Sequence, residues 1–249
     1  MSFVGKVAIV TGAAMGNGRA IALGLAQAGA HIIAADVNLD LASETCREVE
    51  VLGRRTLAVK TDVSVKSDVE NLVEQTLDHF NRIDVLVNNA GITSRYELLE
   101  LPEEEWDRVI DVNLKGVYLC TQAVARAMIE LGIKGKIINI SSIAASRGVP
   151  DGAHYCASKA GVELFTQAGA RSLADKNIYV NAIAPGVMDT PMLAPYLADP
   201  DRHEQFLAST PLGRIGHPQD LVGAVRFLAG PDSDYVTGIV LRVDGGMLA

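Results

Sequence analysis

With 249 residues, of which 49% are hydrophobic and only 5% aromatic, the chain is long enough to bury the core of one α/β domain. Its formal net charge of −8 and the lack of any long Lys/Arg run argue against nucleic acid or an anionic membrane surface as partner. The three cysteines, Cys46, Cys120 and Cys156, lack Cys-x-x-Cys spacing and predict neither a disulfide framework nor a structural metal site.

The N-terminus lacks the basic segment and the apolar core of a signal peptide. No apolar run approaches the roughly 20 residues that a membrane span needs. We therefore expect a cytoplasmic protein whose cysteines stay reduced.

Apolar segments of strand length alternate with amphipathic segments of helix length along the chain. This alternation predicts an α/β fold, a doubly wound parallel sheet of about seven strands with helices on both faces, in a single domain of residues 1–249. The predicted strands are residues 6–11, 31–36, 56–60, 85–88, 136–141, 179–184 and 239–243.

One late stretch departs from this regular alternation. Between Pro185 and Pro218, four further prolines separate short helical pieces, yet the segment is too apolar for a disordered linker. We expect a mobile substrate flap, residues 187–216, that covers a pocket.

A glycine-rich loop, Thr11-Gly-Ala-Ala-Met-Gly-Asn-Gly18, follows the first predicted strand and leads into a helix near Arg19. Its glycines allow a tight turn and close approach to a pyrophosphate, and the helix N-terminus offers free N–H groups to the anion. A plain turn would also use glycines, so the prediction of a dinucleotide site depends on the strand–loop–helix order.

Asp36 ends the second predicted strand, where a carboxylate can accept hydrogen bonds from an adenosine ribose. The same charge would repel a phosphate on that ribose, and Met15 and Val37, which could offset it, are uncharged. The pattern favours NAD over NADP, although Asp36 could instead cap the next helix.

Tyr155 and Lys159 lie four residues apart in a segment with helical spacing, so they share one helix face. An ammonium and a cationic nicotinamide nearby would favour the phenolate, which could then take a proton from an alcohol. Ser142 follows the fifth predicted strand at the carboxyl edge of the sheet, where open α/β sheets bind ligands. Its hydroxyl could hold the substrate oxygen, although two serines at a strand end are also an ordinary strand terminus.

With these motifs the chain resembles the short-chain dehydrogenases/reductases over essentially its whole length. The matching segments are Thr11-Gly-Ala-Ala-Met-Gly-Asn-Gly18, Asp62-Val63, Asn88-Asn-Ala-Gly91, Asn113, Ser142, Tyr155-Cys-Ala-Ser-Lys159 and Pro185-Gly-Val-Met-Asp-Thr190. The resemblance implies a Rossmann fold and an NAD-dependent oxidoreductase that moves hydride between nicotinamide and a secondary alcohol or carbonyl.

The resemblance also implies roles for individual residues. The catalytic set is Ser142, Tyr155, Lys159 and Asn113, with Asn113 holding a water in the proton relay. The expected cofactor-binding residues are Gly12, Met15, Asn17, Gly18, Asp36, Asp62, Val63, Asn89, Ala90, Gly91, Tyr155, Lys159, Pro185, Met188 and Thr190. Within this set, Asp62 and Val63 would contact adenine, and Thr190 with the Met188 backbone would hold the carboxamide.

Two of these residues have a second interpretation. Asn17 stands where the family usually has isoleucine, and its amide could alter the packing of the glycine loop or add a hydrogen bond to the cofactor. Asn113 could instead kink or cap a helix. His154 and Cys156, which flank Tyr155, are not expected to be site residues.

Three functions remain open. The first is a polyol, sugar or other secondary-alcohol dehydrogenase that uses NAD. The second is a 3-oxoacyl thioester reductase, because residues 88–93 are similar to that subgroup too. The third is a non-catalytic dinucleotide sensor, against which the intact Ser142, Tyr155 and Lys159 argue.

The partners are expected to be a small-molecule substrate and further copies of the chain. The resemblance implies a homotetramer joined through helices at residues 103–131 and 152–174. The expected pocket walls, residues 93–96, 143–147, 149–154 and 188–196, mix apolar and polar groups and show no clear charge preference.

Overall fold

The computed structural model describes residues 3–249, so the first two residues of the predicted domain, Met1 and Ser2, lie outside the described residues. The strands are β1 Val7–Thr11, β2 His31–Asp36, β3 Thr56–Lys60, β4 Val85–Asn88, β5 Gly135–Ile140, β6 Ile178–Pro185 and β7 Val240–Val243. The α-helices are α1 Gly16–Gln27, α2 Leu39–Val51, α3 Lys66–Phe80, α4 Glu103–Ile110, α5 Gly116–Glu130, α6 Ala153–Leu173, α7 Ala194–Leu197, α8 Pro200–Ala208 and α9 Val222–Ala229.

The strands form one parallel sheet in the order β3-β2-β1-β4-β5-β6-β7. The predicted doubly wound sheet is therefore confirmed. Because the chain order reverses between β1 and β4, the loops that leave these two strands diverge and open a crevice at the carboxyl edge. The functional residues predicted from the sequence fall mainly on the loops at this edge.

Two apolar clusters cover the two faces of the sheet. On one face, Ile21 and Leu25 of α1 pack with Leu228 of α9; on the other, Leu72 of α3 packs with Met128 of α5. Every residue of β1, β4 and β5 is buried, as expected for parallel strands covered on both sides. Each fully buried side chain of this size stabilises the fold by about 1.5–3 kcal/mol.

Asp84, directly before β4, is a buried carboxylate that is 2% exposed. Lys6 Nζ donates to it at 2.9 Å, the Val7 N–H at 2.9 Å, and the Arg82 guanidinium at 2.7 and 2.8 Å. Burial by itself would raise the pKa of Asp84, but these hydrogen bonds lower the pKa below its ordinary value. The Asp84 carboxylate thus links the start of β1 to the segment before β4 at the amino-terminal edge of the sheet.

This charge makes the stability depend on pH. Because the folded-state pKa of Asp84 lies below the unfolded value of about 3.9, its contribution is complete above that pH and is lost as pH falls through the folded pKa. We expect Asp84→Asn to lower the free energy of unfolding by about 2 kcal/mol at pH 7, with a smaller difference below about pH 4. Urea unfolding at both pH values tests this, with the exposed Asp175→Asn as control. Equal losses at both pH values would contradict it.

Candidate active site

A long cavity of about 810 Å³ lies at the carboxyl edge of the sheet. We call the part lined by Asp36, Val37 and Asn38 the Asp36 end, and the part lined by Ser142, Tyr155 and Lys159 the Tyr155 end. The predicted site residues on its wall are Gly12, Met15, Asn17, Asp36, Asn89, Ala90, Gly91, Ser142, Tyr155, Lys159, Pro185, Met188 and Thr190. Most of the residues predicted from separate motifs are therefore neighbours in space.

The glycine loop lies tightly against the end of β4. Gly12 has φ +65°, and a Cβ on Gly18 would collide with the Gly12 carbonyl oxygen. Asn89 Nδ2 donates to the carbonyl oxygens of Thr11 at 3.0 Å and Gly12 at 3.1 Å, which holds the loop in place. Gly18 lies within this turn and not on the cavity wall.

The helix that follows the loop, α1, begins at Gly16 on the cavity wall, and its N-cap residue Met15 makes no side-chain capping bond. The first N–H groups of a helix have no partner within it, so this end can receive an anion. Asn17, also on the wall, has a buried Oδ1 atom without a hydrogen-bond partner among the described residues. The close-packed glycines and the free N–H groups at the start of α1 fit the pyrophosphate half of a dinucleotide. The Asn17 Oδ1 atom is an acceptor and would need a hydrogen-bond donor instead of a phosphate oxygen.

Asp36 presents its carboxylate to the other end of the same cavity. One oxygen accepts the Ala14 N–H and the other the Asn38 N–H, both at 3.0 Å. The N-cap of α2 is Asn38, whose side chain accepts the Leu41 N–H at 3.1 Å, so Asp36 does not cap that helix. Each carboxylate oxygen keeps acceptor capacity that a ribose hydroxyl could use.

Tyr155 and Lys159 lie one turn apart on α6, as their spacing predicted. The Ser142 side chain lies close enough to the Tyr155 phenol to lower its pKa. Ser142 Oγ also accepts the Ala144 N–H at 3.1 Å, whereas Ser141 donates its hydroxyl to Glu163 at 3.0 Å and so is bonded to α6. The serine expected to face the pocket is therefore the one that contacts the tyrosine.

Burial changes the acid–base properties of both groups. It raises the pKa of the Tyr155 phenol, although the Ser142 side chain and the charge of Arg95 act in the opposite direction. Burial lowers the pKa of Lys159 to about 8. The Lys159 ammonium donates to the Ile140 carbonyl at 2.9 Å and lies 5.7 Å from the centre of the Tyr155 ring. Arg95 is thus a second cation near the phenol that the sequence did not indicate.

A π-helical turn, Asp111–Lys115, joins α4 to α5 and carries Asn113. Asn113 is fully buried; its Oδ1 accepts the Ile92 N–H at 2.8 Å, and its Nδ2 donates to the Ile92 carbonyl and to Ser158. A Cβ on Gly91 would lie 3.3 Å from Asn113 Oδ1 and 3.4 Å from Lys159 Nζ, so these groups converge. Asn113 itself is not on the cavity wall, and its role in holding a water stays a prediction.

Comparison with known proteins gives the family. A family model described as enoyl-(acyl carrier protein) reductase matches residues 12–248. The chain is 44% identical to 2-dehydro-3-deoxy-D-gluconate 5-dehydrogenase of Escherichia coli, with 100% of this chain and 97% of the relative covered. The chain belongs to the short-chain dehydrogenase/reductase family. This family uses a nicotinamide dinucleotide, and the protein is an oxidoreductase that acts on CH–OH groups.

Two further relatives of this dehydrogenase/reductase are named for different activities. A 3-oxoacyl-[acyl-carrier-protein] reductase of Thermotoga maritima is 42% identical, with both chains covered completely. A crystal structure from Agrobacterium tumefaciens, named as a 2-deoxy-D-gluconate 3-dehydrogenase with bound NADP, superposes with TM-score 0.92 at 40% identity over 99% of this chain and 98% of that chain. The relatives therefore agree on the fold and the reaction class but differ in substrate.

Besides Gly18, two predicted cofactor residues of this dehydrogenase/reductase, Asp62 and Val63, lie away from the cavity wall. Asp62 Oδ1 accepts hydrogen bonds from the Ser64 N–H at 2.9 Å and the Ser64 hydroxyl at 2.6 Å. Val63 is buried against Gly116, where an added Cβ would lie 2.7 Å from a Val63 methyl group. Their contact with adenine stays a prediction.

The enzyme has two charged wall residues to which the sequence assigned no role, Arg95 and Arg147. Both fall in the expected pocket walls, but so do Asp151 and Asp189, so the sequence alone did not indicate whether cations or carboxylates face the pocket. Neither aspartate lines the cavity. His154 and Cys156 also lie off the wall, and no helix within residues 3–249 combines the length and apolar character needed to cross a membrane.

Proposed function

We propose that this enzyme oxidises a secondary alcohol of a polyol, sugar or related small molecule with NAD, and reduces the corresponding carbonyl in reverse. One observation carries the proposal: Ser142, Tyr155 and Lys159 line the same cavity as the glycine loop and Asp36. A nicotinamide dinucleotide held along this wall would accept or return the hydride.

In this proposal the protein residues orient the substrate and move its proton. Ser142 and Tyr155, which line the same part of the cavity, would hold the substrate oxygen between them. The Tyr155 phenolate takes the hydroxyl proton during oxidation, and the phenol returns it during reduction, as general acid/base catalysis requires. Lys159 supplies a positive charge beside the phenol, and Asn113 would hold a water in the proton relay.

We assign the cofactor as NAD from the charges around the Asp36 end. The carboxylate of Asp36 disfavours a 2′-phosphate, and no Lys or Arg among the described residues lines this end. Arg19, which follows the glycine loop, is bonded to Glu48 at 2.6–3.0 Å and is therefore engaged elsewhere. The NADP in the Agrobacterium tumefaciens structure belongs to that protein, so the preference has to be measured here.

A substrate panel tests the proposal. Alcohols, polyols and sugars are supplied with NAD, and 3-oxoacyl thioesters are supplied in reverse with NADH and with NADPH. We expect NAD reduction with members of the first group. The Thermotoga maritima relative supports the thioester reductase as the second candidate. A strong kinetic preference for NADPH and a 3-oxoacyl thioester would establish that candidate instead.

We propose that residues 187–216 act as a substrate flap. The segment carries α7 and α8 and contributes Met192, Leu193 and Phe206 to the cavity wall. The centre of its Tyr196 ring lies 4.9 Å from the Arg95 guanidinium, so the flap contacts a residue of the cavity wall outside the flap. We expect NADH to slow limited proteolysis within this segment, because the bound dinucleotide would add contacts to it. Equal cleavage rates with and without NADH would argue against a flap.

We also propose a cytoplasmic homotetramer. Exposed apolar side chains on α5 and α6, among them Tyr118 and the 68% exposed Leu164, support association through residues 103–131 and 152–174. The free cysteines Cys46, Cys120 and Cys156 are compatible with a reducing compartment. Light scattering at micromolar concentration tests the assembly, and a monomer would refute it.

A further inference from the structure

We propose that the substrate of this enzyme carries a carboxylate, which Arg147 and Arg95 bind at the Tyr155 end of the cavity. This substrate class rests on the proposed dehydrogenase function and narrows it. It replaces the expectation that the pocket walls have no charge preference.

The charges on the cavity wall are distributed unevenly. At the Tyr155 end the wall carries Arg95, Arg147 and Lys159, and within residues 3–249 no acidic residue lines that part of the cavity. The carboxylate of Asp151, which is off the wall, pairs with Arg95 at 2.7 Å, so Arg147 and Lys159 are the cations there without an acidic partner. Asp36 is the acidic residue of the wall among the described residues, and it lies at the opposite end. A cluster of one sign in a cleft raises the local concentration of the opposite ion, even in a protein whose net charge is −8.

Arg147 is an unpaired cation on this wall. Its backbone N–H donates to the Ile143 carbonyl at 3.0 Å, which anchors the turn five residues after Ser142. Its exposed side chain has no hydrogen bond or ion pair within residues 3–249. A free guanidinium beside a reaction site presents a planar pair of donors that matches both oxygens of a carboxylate.

Arg95 is held firmly and still keeps free donor capacity. Its Nη1 donates to Asp151 at 2.7 Å, and its guanidinium lies over the Tyr196 ring. Its Nε atom is buried and has no partner among the described residues, so an anion in the cavity could not reach it without a shift of the side chain. Its Nη2 group is not among the buried unpaired atoms and has no hydrogen bond within residues 3–249, so Nη2 is the donor that an anion in the cavity could use.

Arg95, Arg147 and Tyr155 line the same cavity. One substrate can therefore place an alcohol at the phenol and a carboxylate at the guanidinium groups, as a short hydroxy acid or a sugar acid would. A neutral polyol would leave Arg147 without a charged partner, whereas Arg95 would keep only its ion pair with Asp151.

The carboxylate takes no part in the bond changes. The carbinol C–H bond breaks, and its hydride passes to the oxidised nicotinamide. The O–H bond breaks, its proton passes to Tyr155, and the C–O bond becomes a carbonyl. The two electrons lost by the alcohol are those gained by NAD, so no other oxidant is needed.

Matched pairs of compounds isolate the charge. We compare D-gluconate with D-glucitol, and 3-hydroxybutyrate with its methyl ester, and include 3-hydroxybutyryl-CoA because thioester carriers also bear anionic phosphates. We expect the native enzyme to favour the acid of a pair by about tenfold or more in kcat/KM. Titration of each compound into the enzyme–NADH complex, followed by NADH fluorescence, should give the same order without turnover.

Substitution of Arg147 provides the residue-level test. We expect Arg147→Gln to lower kcat/KM for the acid about 10- to 100-fold, mainly through KM, and to leave the neutral partner within about twofold. Arg147→Lys should keep part of the preference, because the charge remains but the planar fork is lost. Arg47→Gln is the matched control: Arg47 is an exposed arginine of α2, away from the cavity and from the proposed assembly surfaces, and its loss changes the net charge equally.

Several results would overturn the proposal. One is that the native enzyme has higher kcat/KM and tighter binding for the neutral compounds than for the acids. Another is that Arg147→Gln lowers kcat/KM equally for the acid and the neutral compound of a pair. If Arg147→Gln lowered kcat/KM for 3-hydroxybutyryl-CoA alone, the anion that Arg147 binds would be a phosphate of the thioester carrier. That result would exclude the carboxylate. NAD reduction by neutral alcohols alone would refute the carboxylate but keep the dehydrogenase. No NAD reduction with any compound would reject the proposed function itself.

Discussion

Replacing Tyr155 by phenylalanine should lower kcat for NAD-dependent alcohol oxidation by about 10²- to 10⁴-fold, the usual range for losing a general acid/base. The partly buried ring would stay in place, so only the phenolic oxygen and its interaction with Ser142 are lost. We therefore expect NADH binding, measured by fluorescence titration, to remain within about twofold of the native value.

The control for this substitution is Tyr235→Phe, because Tyr235 is fully exposed and lies off the cavity wall. It should leave kcat unchanged. If Tyr155→Phe retained more than about one tenth of the native kcat, the phenol would not be the general acid/base of the reaction. A large loss of NADH affinity would show that the substitution had damaged the cofactor site instead.

Changing the charge at the Asp36 end should reverse the cofactor preference. Asp36→Ser removes the repulsion of a 2′-phosphate, and Val37→Arg adds a cation at a position that is 61% exposed on the cavity wall. We expect the double variant to raise the ratio of kcat/KM for NADP over NAD by about a hundredfold or more. Fluorescence titration with NADH and NADPH should show the same reversal in dissociation constants.

The thermal midpoint of the double variant has to be measured alongside, because Asp36 also accepts the Ala14 and Asn38 N–H groups that shape the loop. Asp40→Ser is the matched control, since Asp40 lies in the first turn of α2 and off the cavity wall. A native enzyme that already prefers NADPH would contradict the assignment of NAD. So would an unchanged ratio in a folded double variant.

The two largest predictions depend on features that the sequence indicated correctly. β1 and β4 are apolar up to their last residues, Thr11 and Asn88, because both of their faces are covered, so their positions could be identified without knowledge of any tertiary contact. Tyr155 and Lys159 share a helix face because four residues make about one turn. In each case the pattern arises from neighbours in the chain.

Local pattern was less informative at the ends of elements. The helix after Asp36 begins with Asn38 as its cap, although either residue type can perform that role. The π-helical turn around Asn113 has no distinct residue pattern, and it appears where α4 and α5 join beside α6. Packing between elements selects among such local alternatives, because their energies differ by little.

By itself, the sequence determined the parallel sheet, the glycine loop at its carboxyl edge and the Ser142, Tyr155 and Lys159 set, because periodicity and strand ends are local properties. Only the tertiary structure decided which charges reach the cavity. Arg95 pairs with Asp151, 56 residues away, and lines the wall while Asp151 does not. The sequence does not distinguish the cationic from the acidic residues of these wall segments. Contacts with distant parts of the chain determine which of the charged side chains line the cavity, where a substrate would bind.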